Sequence, residues 1–94
     1  LSLMKINKFL VERATLKDQQ GALTLRLKKL EIGRLTNLSQ LARSEEVTVL
    51  ELDGNFLKEI EEPDIRNFLK LEVLTAPMNF LTNVTSLMCL PSLK

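Results

Sequence analysis

Apolar residues recur in two stretches of the chain that lie twenty-four residues apart. The first reads Val47-Thr-Val-Leu50-Glu-Leu52-Asp-Gly-Asn55-Phe-Leu57-Lys-Glu-Ile60. The second reads Leu71-Glu-Val-Leu74-Thr-Ala76-Pro-Met-Asn79-Phe-Leu81-Thr-Asn-Val84. Counting from Val47 and from Leu71, positions 1, 4, 6, 11 and 14 are apolar in both, and position 9 is Asn. Alternation around positions 4 and 6 predicts a short strand with one buried face. Repetition at this period predicts that each strand is followed by a return segment and then a parallel strand beside the last.

Upstream, Leu3, Ile6, Leu10, Val11 and Ala14 follow helical spacing, with Ser2 placed to cap and Lys5, Lys8, Glu12 and Arg13 opposite. This predicts an amphipathic helix over residues 2–17, stopped by Asp18-Gln-Gln-Gly21 and covering the open flank of the first repeat. Leu23-Thr-Leu25-Arg-Leu27 alternates as a strand does and leads into Leu30, Ile32, Leu35, Leu38 and Leu41. Repeats are expected to start at residues 27, 47, 71 and 93, with Leu30, Leu50 and Leu74 in one core column and Ile32, Leu52 and Ala76 in the next. Pro63 suits the first turn of a return-side helix, with Ile65, Phe68 and Leu69 at helical spacing behind it. The chain reaches Lys94 one residue into a fourth repeat, so a fragment of a longer protein is expected. In such a fragment the edges of Leu74, Leu87 and Leu90 would invite self-association.

The two full stretches fit Leu-x-x-Leu-x-Leu-x-x-Asn-x-Leu-x-x-Ile. They resemble the short, roughly 22-residue class of intracellular leucine-rich repeat. The regulatory subunit of protein phosphatase 1, the spliceosomal U2 A-prime protein and axonemal repeat proteins typify that class. The resemblance implies an α/β fold: a leucine-rich repeat solenoid with an N-terminal capping helix and a short parallel β-sheet on its concave face. The helix would take residues 1–22, and about three coils residues 23–94. Ala76 and Pro77 depart from the pattern, and Pro77 lacks a backbone donor.

In this frame Asn55 and Asn79 stand where each strand turns, and their side-chain amides are expected to satisfy backbone groups that leave the ladder. They are structural anchors. Positions 3, 5 and 7 face outward, and the expected partner-binding residues are Lys29, Glu31, Val49, Glu51, Asp53, Val73 and Thr75, with Gly33 and Pro77 beside them. Glu31, Glu51 and Asp53 make a modest acidic patch, suited to a basic or helical partner segment.

Composition narrows the function. The net charge is +1, but residues 1–34 carry eight Lys/Arg against three acids, and residues 35–94 five against nine. The basic end, with Lys5, Lys8, Arg13 and Lys17, makes nucleic acid the second expectation after a protein partner. No His occurs, one Cys stands alone at position 89, and the three Gly are isolated, so the commonest base, a zinc set and a phosphate loop are all absent. No enzyme, cofactor, metal or small-molecule substrate is expected. The single cysteine fits a reducing compartment, and two sequons, at Asn37 and Asn83, are weak signals of the opposite kind. No apolar run is long enough for a membrane span. The expected function is a protein-interaction scaffold in a larger intracellular assembly, cytoplasmic, ciliary or nuclear. The alternative is a splicing-type ribonucleoprotein component.

Overall fold

A computed structural model describes residues 5–41 and 43–94. Its first helix, α1, spans Lys8–Ala14. Asn7 caps it, its Oδ1 accepting from Leu10 N at 2.9 Å. Ser2 and Leu3, expected in this helix, lie outside the described residues. The helix ends earlier than its apolar spacing predicts. Thr15 adopts an extended backbone and donates its hydroxyl to Val11 O at 2.7 Å, a local bond that competes with another helical turn.

Thr15–Lys17 then forms β1, which pairs antiparallel with β2, Leu23–Arg26. The Asp18–Gly21 stretch is therefore a hairpin turn between two strands. Asp18 Oδ1 accepts from Gln20 N and Ala22 N, and Gly21 takes a φ of +85°, the left-handed region open to glycine. The expected helix over 2–17 is thus corrected to a seven-residue helix and a strand.

Two parallel strands complete the sheet: β3, Val47–Glu51, and β4, Val73–Thr75. The order is β1-β2-β3-β4. Parallel neighbours need a crossover. Short helices α2, Leu38–Leu41, and α3, Glu62–Ile65, lie on those return segments, and a 3-10 turn, Thr85–Cys89, follows β4. Pro63 occupies the first turn of α3, where its missing N–H costs nothing. Ser39 donates to Pro63 O at 3.0 Å, Asp64 accepts Asn37 N at 2.9 Å, and the Ser86 hydroxyl donates to Ile60 O, so the return segments are tied to each other.

Between sheet and return segments lies the core. Leu25, Leu27, Ile32, Leu50, Leu52, Leu57, Ile65 and Phe68 are wholly buried there, and Val11 of α1 joins them. Leu69, expected beside Phe68, is exposed.

An elongated leucine-rich repeat solenoid does not form. The described residues form a small α/β unit with one mixed four-stranded sheet, three short helices and principal extents of 39 × 28 × 21 Å. Its radius of gyration is 12.2 Å, against about 12 Å for any compact chain of this length. Four strands spaced about 4.8 Å apart span only some 15 Å. The antiparallel β1 also makes the sheet mixed, where the repeat pattern predicts parallel strands alone.

Register corrects the first row as well. Leu25 stands beside Leu50, which stands beside Leu74, and Arg26 beside Glu51 beside Thr75. The core column therefore begins at Leu25, not Leu30, and continues at Leu27 rather than Ile32. Two frames exist because Ala22-x-x-Leu25-x-Leu27 and Leu27-x-x-Leu30-x-Ile32 carry nearly the same spacing. The frame that forms places Leu25, Leu27 and Ile32 inside and leaves Leu30 only partly covered.

Candidate functional site

Each strand turns one set of side chains into the core and the alternate set outward. The outward set forms three ranks across β2, β3, β4 and the residues that follow them. Thr24, Val49 and Val73 form the first, Arg26, Glu51 and Thr75 the second, and Lys28, Asp53 and Pro77 the third. Strand register fixes the first two ranks. The third is set by ion pairing and by the bonds of Lys29 N to Asp53 O and Gly54 N to Pro77 O, at 2.8 and 2.9 Å.

This face brings together Val49, Glu51, Asp53, Val73 and Thr75. Lys29 and Glu31 are not on it. Both lie beyond the end of β2, exposed, with left-handed φ of +54° and +57°. Lys29 takes the place of Gly54 and Met78 in the later turns, and Glu31 that of Phe56 and Phe80, whose rings stack at 6.2 Å. Gly54 is the one glycine of that set; a Cβ there would meet Lys29 Cγ at 3.0 Å. The residues sequence reasoning missed are Thr24, Arg26 and Lys28. The alternation Leu23-Thr-Leu25-Arg-Leu27 carries the signal for them, once it sets the frame of the first row.

The electrostatics change accordingly. Arg26 Nε donates to Glu51 Oε1 at 2.7 Å, and Lys28 Nζ lies 3.4 Å from Glu51 Oε2 and 3.9 Å from Asp53 Oδ2. Thr75 donates its hydroxyl to Asp53 Oδ1 at 2.6 Å. Two carboxylates and two cations thus form one network that spans three strands. The Arg26 hydrogen bond holds the Glu51 carboxyl below the ordinary carboxylate range; burial opposes this, and Lys28 reinforces it.

Beneath the face, Asn55 and Asn79 secure the turns. Asn55 Oδ1 accepts from Leu30 N and Ile32 N at 3.0 and 3.1 Å. Its Nδ2 donates to Leu27 O and Leu52 O at 2.6 and 2.8 Å. Asn79 Oδ1 accepts from Leu57 N at 3.0 Å, while Nδ2 donates to Leu52 O and Ala76 O at 2.9 and 3.2 Å. These amides bind backbone groups that have left the ladder, which holds the ranks above them in register.

Elsewhere the arrangement offers little chemistry. Among the described residues no group of three His, Cys, Asp or Glu side chains is placed to hold a metal, and no buried side-chain nitrogen or oxygen lacks a partner. Cys89 is partly buried, and desolvation raises its thiol pKa. Of the expected basic helix, Lys5 precedes α1, Lys8 and Arg13 lie on it, and Lys17 belongs to β1. No helix among the described residues is long and apolar enough to cross a membrane. Compared with protein-family models, with curated proteins and with solved structures, the chain matches none.

Proposed function

We propose that the outward face of the sheet is a protein-binding surface, and that the chain is a binding module rather than a catalyst. The observation that carries this reading is the network of Arg26, Lys28, Glu51, Asp53 and Thr75. It fixes side chains from three strands on one face, flanked by the apolar Val49 and Val73. Side chains already held in place lose less freedom when a partner arrives, and that lowers the cost of binding. A segment lying across the strands would meet all three ranks at once. The resemblance of residues 47–60 and 71–84 to the repeats of protein-binding scaffolds supports the same role without an elongated solenoid. The lone Cys89, with no disulfide partner in this chain, supports a reducing compartment.

The test is selection of displayed twelve-residue peptides on the immobilised protein, followed by affinity measurement on variants. Val73→Gln and Thr75→Gln, both neutral, should each weaken the selected peptides at least about tenfold, the discrimination typical of a side chain central to a small interface. Glu12→Lys on α1 should leave them unchanged. Peptides that ignore both face substitutions would show that this is the wrong surface.

A further inference from the structure

On that reading of the face, on which this inference rests, the structure also assigns the chemistry of the partner. We infer that the bound segment is acidic, and that it brings a carboxylate to the Arg26 guanidinium while placing an apolar side chain on Val49 and Val73.

Hydrogen-bonding capacity is the first ground. Glu51 Oε1 and Asp53 Oδ1 accept hydrogen bonds from Arg26 Nε and Thr75 Oγ1, and the other two carboxylate oxygens face the Lys28 ammonium in ion pairs at 3.4 and 3.9 Å. A guanidinium has five N–H donors. Among the described residues Arg26 spends its Nε–H on Glu51, and its Nη groups donate to nothing. Arg26 thus keeps four N–H donors for an incoming acceptor.

Layering is the second ground. The Arg26 and Lys28 side chains are 55% and 39% exposed, against 17% for Glu51 and 25% for Asp53. An approaching molecule meets the cations first, and the acids lie beneath them. The acidic patch expected from Glu31, Glu51 and Asp53 is therefore inverted at the surface, with Glu31 off the face altogether. A planar guanidinium with free Nη edges matches a carboxylate bidentately, the strong form of this contact.

A phosphate backbone would also supply acceptors. Two features favour a peptide. The face carries no aromatic side chain on which a base could stack. The fixed carboxylates of Glu51 and Asp53 lie within 3.9 Å of the cations. They would oppose a continuous run of phosphates more than a single carboxylate placed at Arg26.

The experiment uses the displayed peptides already described, together with a twenty-nucleotide poly(U) RNA. Selected peptides should be net negative. Arg26→Met should weaken them about tenfold or more, with the fold checked by circular dichroism. Glu51→Gln should strengthen them severalfold, because it removes a negative charge that an acidic segment would meet and leaves an amide oxygen that still holds Arg26 in place. The sign of the Glu51→Gln effect decides the matter, since a face that reads basic partners through its acids would lose affinity on the same change. If peptides depend on Val73 and Thr75 but are net positive, or ignore Arg26→Met, the binding face stands and its acidic partner falls. If they ignore the face altogether, both fall. Tight poly(U) binding that needs Arg26 and Lys28, with no peptide enriched, would overturn the inference in favour of RNA.

Discussion

The rows built on β3 and β4 carry one pattern and live in different surroundings. Leu50, Leu52 and Leu57 are wholly buried, and Ile60 nearly so. One period on, Leu74, Ala76 and Leu81 are only partly covered, and Val84 is half exposed. For the paired leucines, Leu50 with Leu74 and Leu57 with Leu81, the difference lies in neighbours, not in residue type. β3 has a strand on each side, whereas β4 has β3 on one side. On its other side only Lys94 follows the strand register, its N–H donating to Glu72 O as Glu72 N–H does to Thr48 O. Position in the sheet thus sets the energetic weight of a residue that sequence alone ranks equal with its counterpart.

The largest effect that could break this comparison comes from truncating the paired leucines. Leu50→Ala should cost about 2–5 kcal/mol, the range for a fully buried leucine that leaves a cavity. Leu74→Ala should cost roughly half as much, because part of its surface already meets water and the gap can fill. Urea denaturation of the two variants reads both numbers. Equal losses would mean that β4 is as well covered as β3.

The asparagines sharpen the contrast at a smaller scale. Asn55→Ala strands Leu27 O, Leu30 N and Ile32 N, while Leu52 O keeps the amide of Asn79. The expected cost is about 1–3 kcal/mol, that of unsatisfied buried groups. Asn79→Ala should cost less, under about 1 kcal/mol, since water reaches the half-buried groups it leaves behind. Amide hydrogen exchange adds a local readout. Leu30 and Ile32 should lose protection in Asn55→Ala, and Leu57 in Asn79→Ala; unchanged exchange at all three would remove the anchoring role.

How far these rows can be read without coordinates follows from the same contrast. The register of β3 against β4 and the place of both Asn side chains are written in the twenty-four-residue period, because buried columns need apolar residues at fixed intervals. The first row is written twice. Leu27-x-x-Leu30 imitates Ala22-x-x-Leu25, and only packing against Leu50 selects between them. That choice moves Lys29 and Glu31 off the candidate face and brings Thr24, Arg26 and Lys28 onto it. The switch at Thr15 was equally hidden, because Leu3, Ile6, Leu10 and Ala14 keep helical spacing while β1 forms only when β2 is there to receive it. Overall shape was not legible from the repeat itself. A period specifies how neighbouring rows pack, and too few rows leave a compact unit rather than an elongated stack.

The smallest effect is a pH dependence that belongs to β3 and has no counterpart on β4, where Thr75 stands in place of Glu51. Arg26 depresses the folded pKa of Glu51 below its unfolded value, which is about 4.3 for a free glutamate. The folded state then binds fewer protons than the unfolded one across that window, so stability rises with pH there. The contribution is fully present above the unfolded pKa and is lost as pH falls through the folded one. Arg26→Met removes the partner that depresses Glu51. Its stability should therefore trail that of the wild type at pH 7 and approach it as the pH falls below the unfolded pKa and through the depressed folded one, once protonation removes the carboxylate in both. Denaturation midpoints at several pH values give this directly. A wild-type advantage that stays constant across the whole acid range in which the protein remains folded would mean that Arg26 acts through the packing of its stem alone, and that the ion pair across β2 and β3 adds nothing to the difference between the two rows.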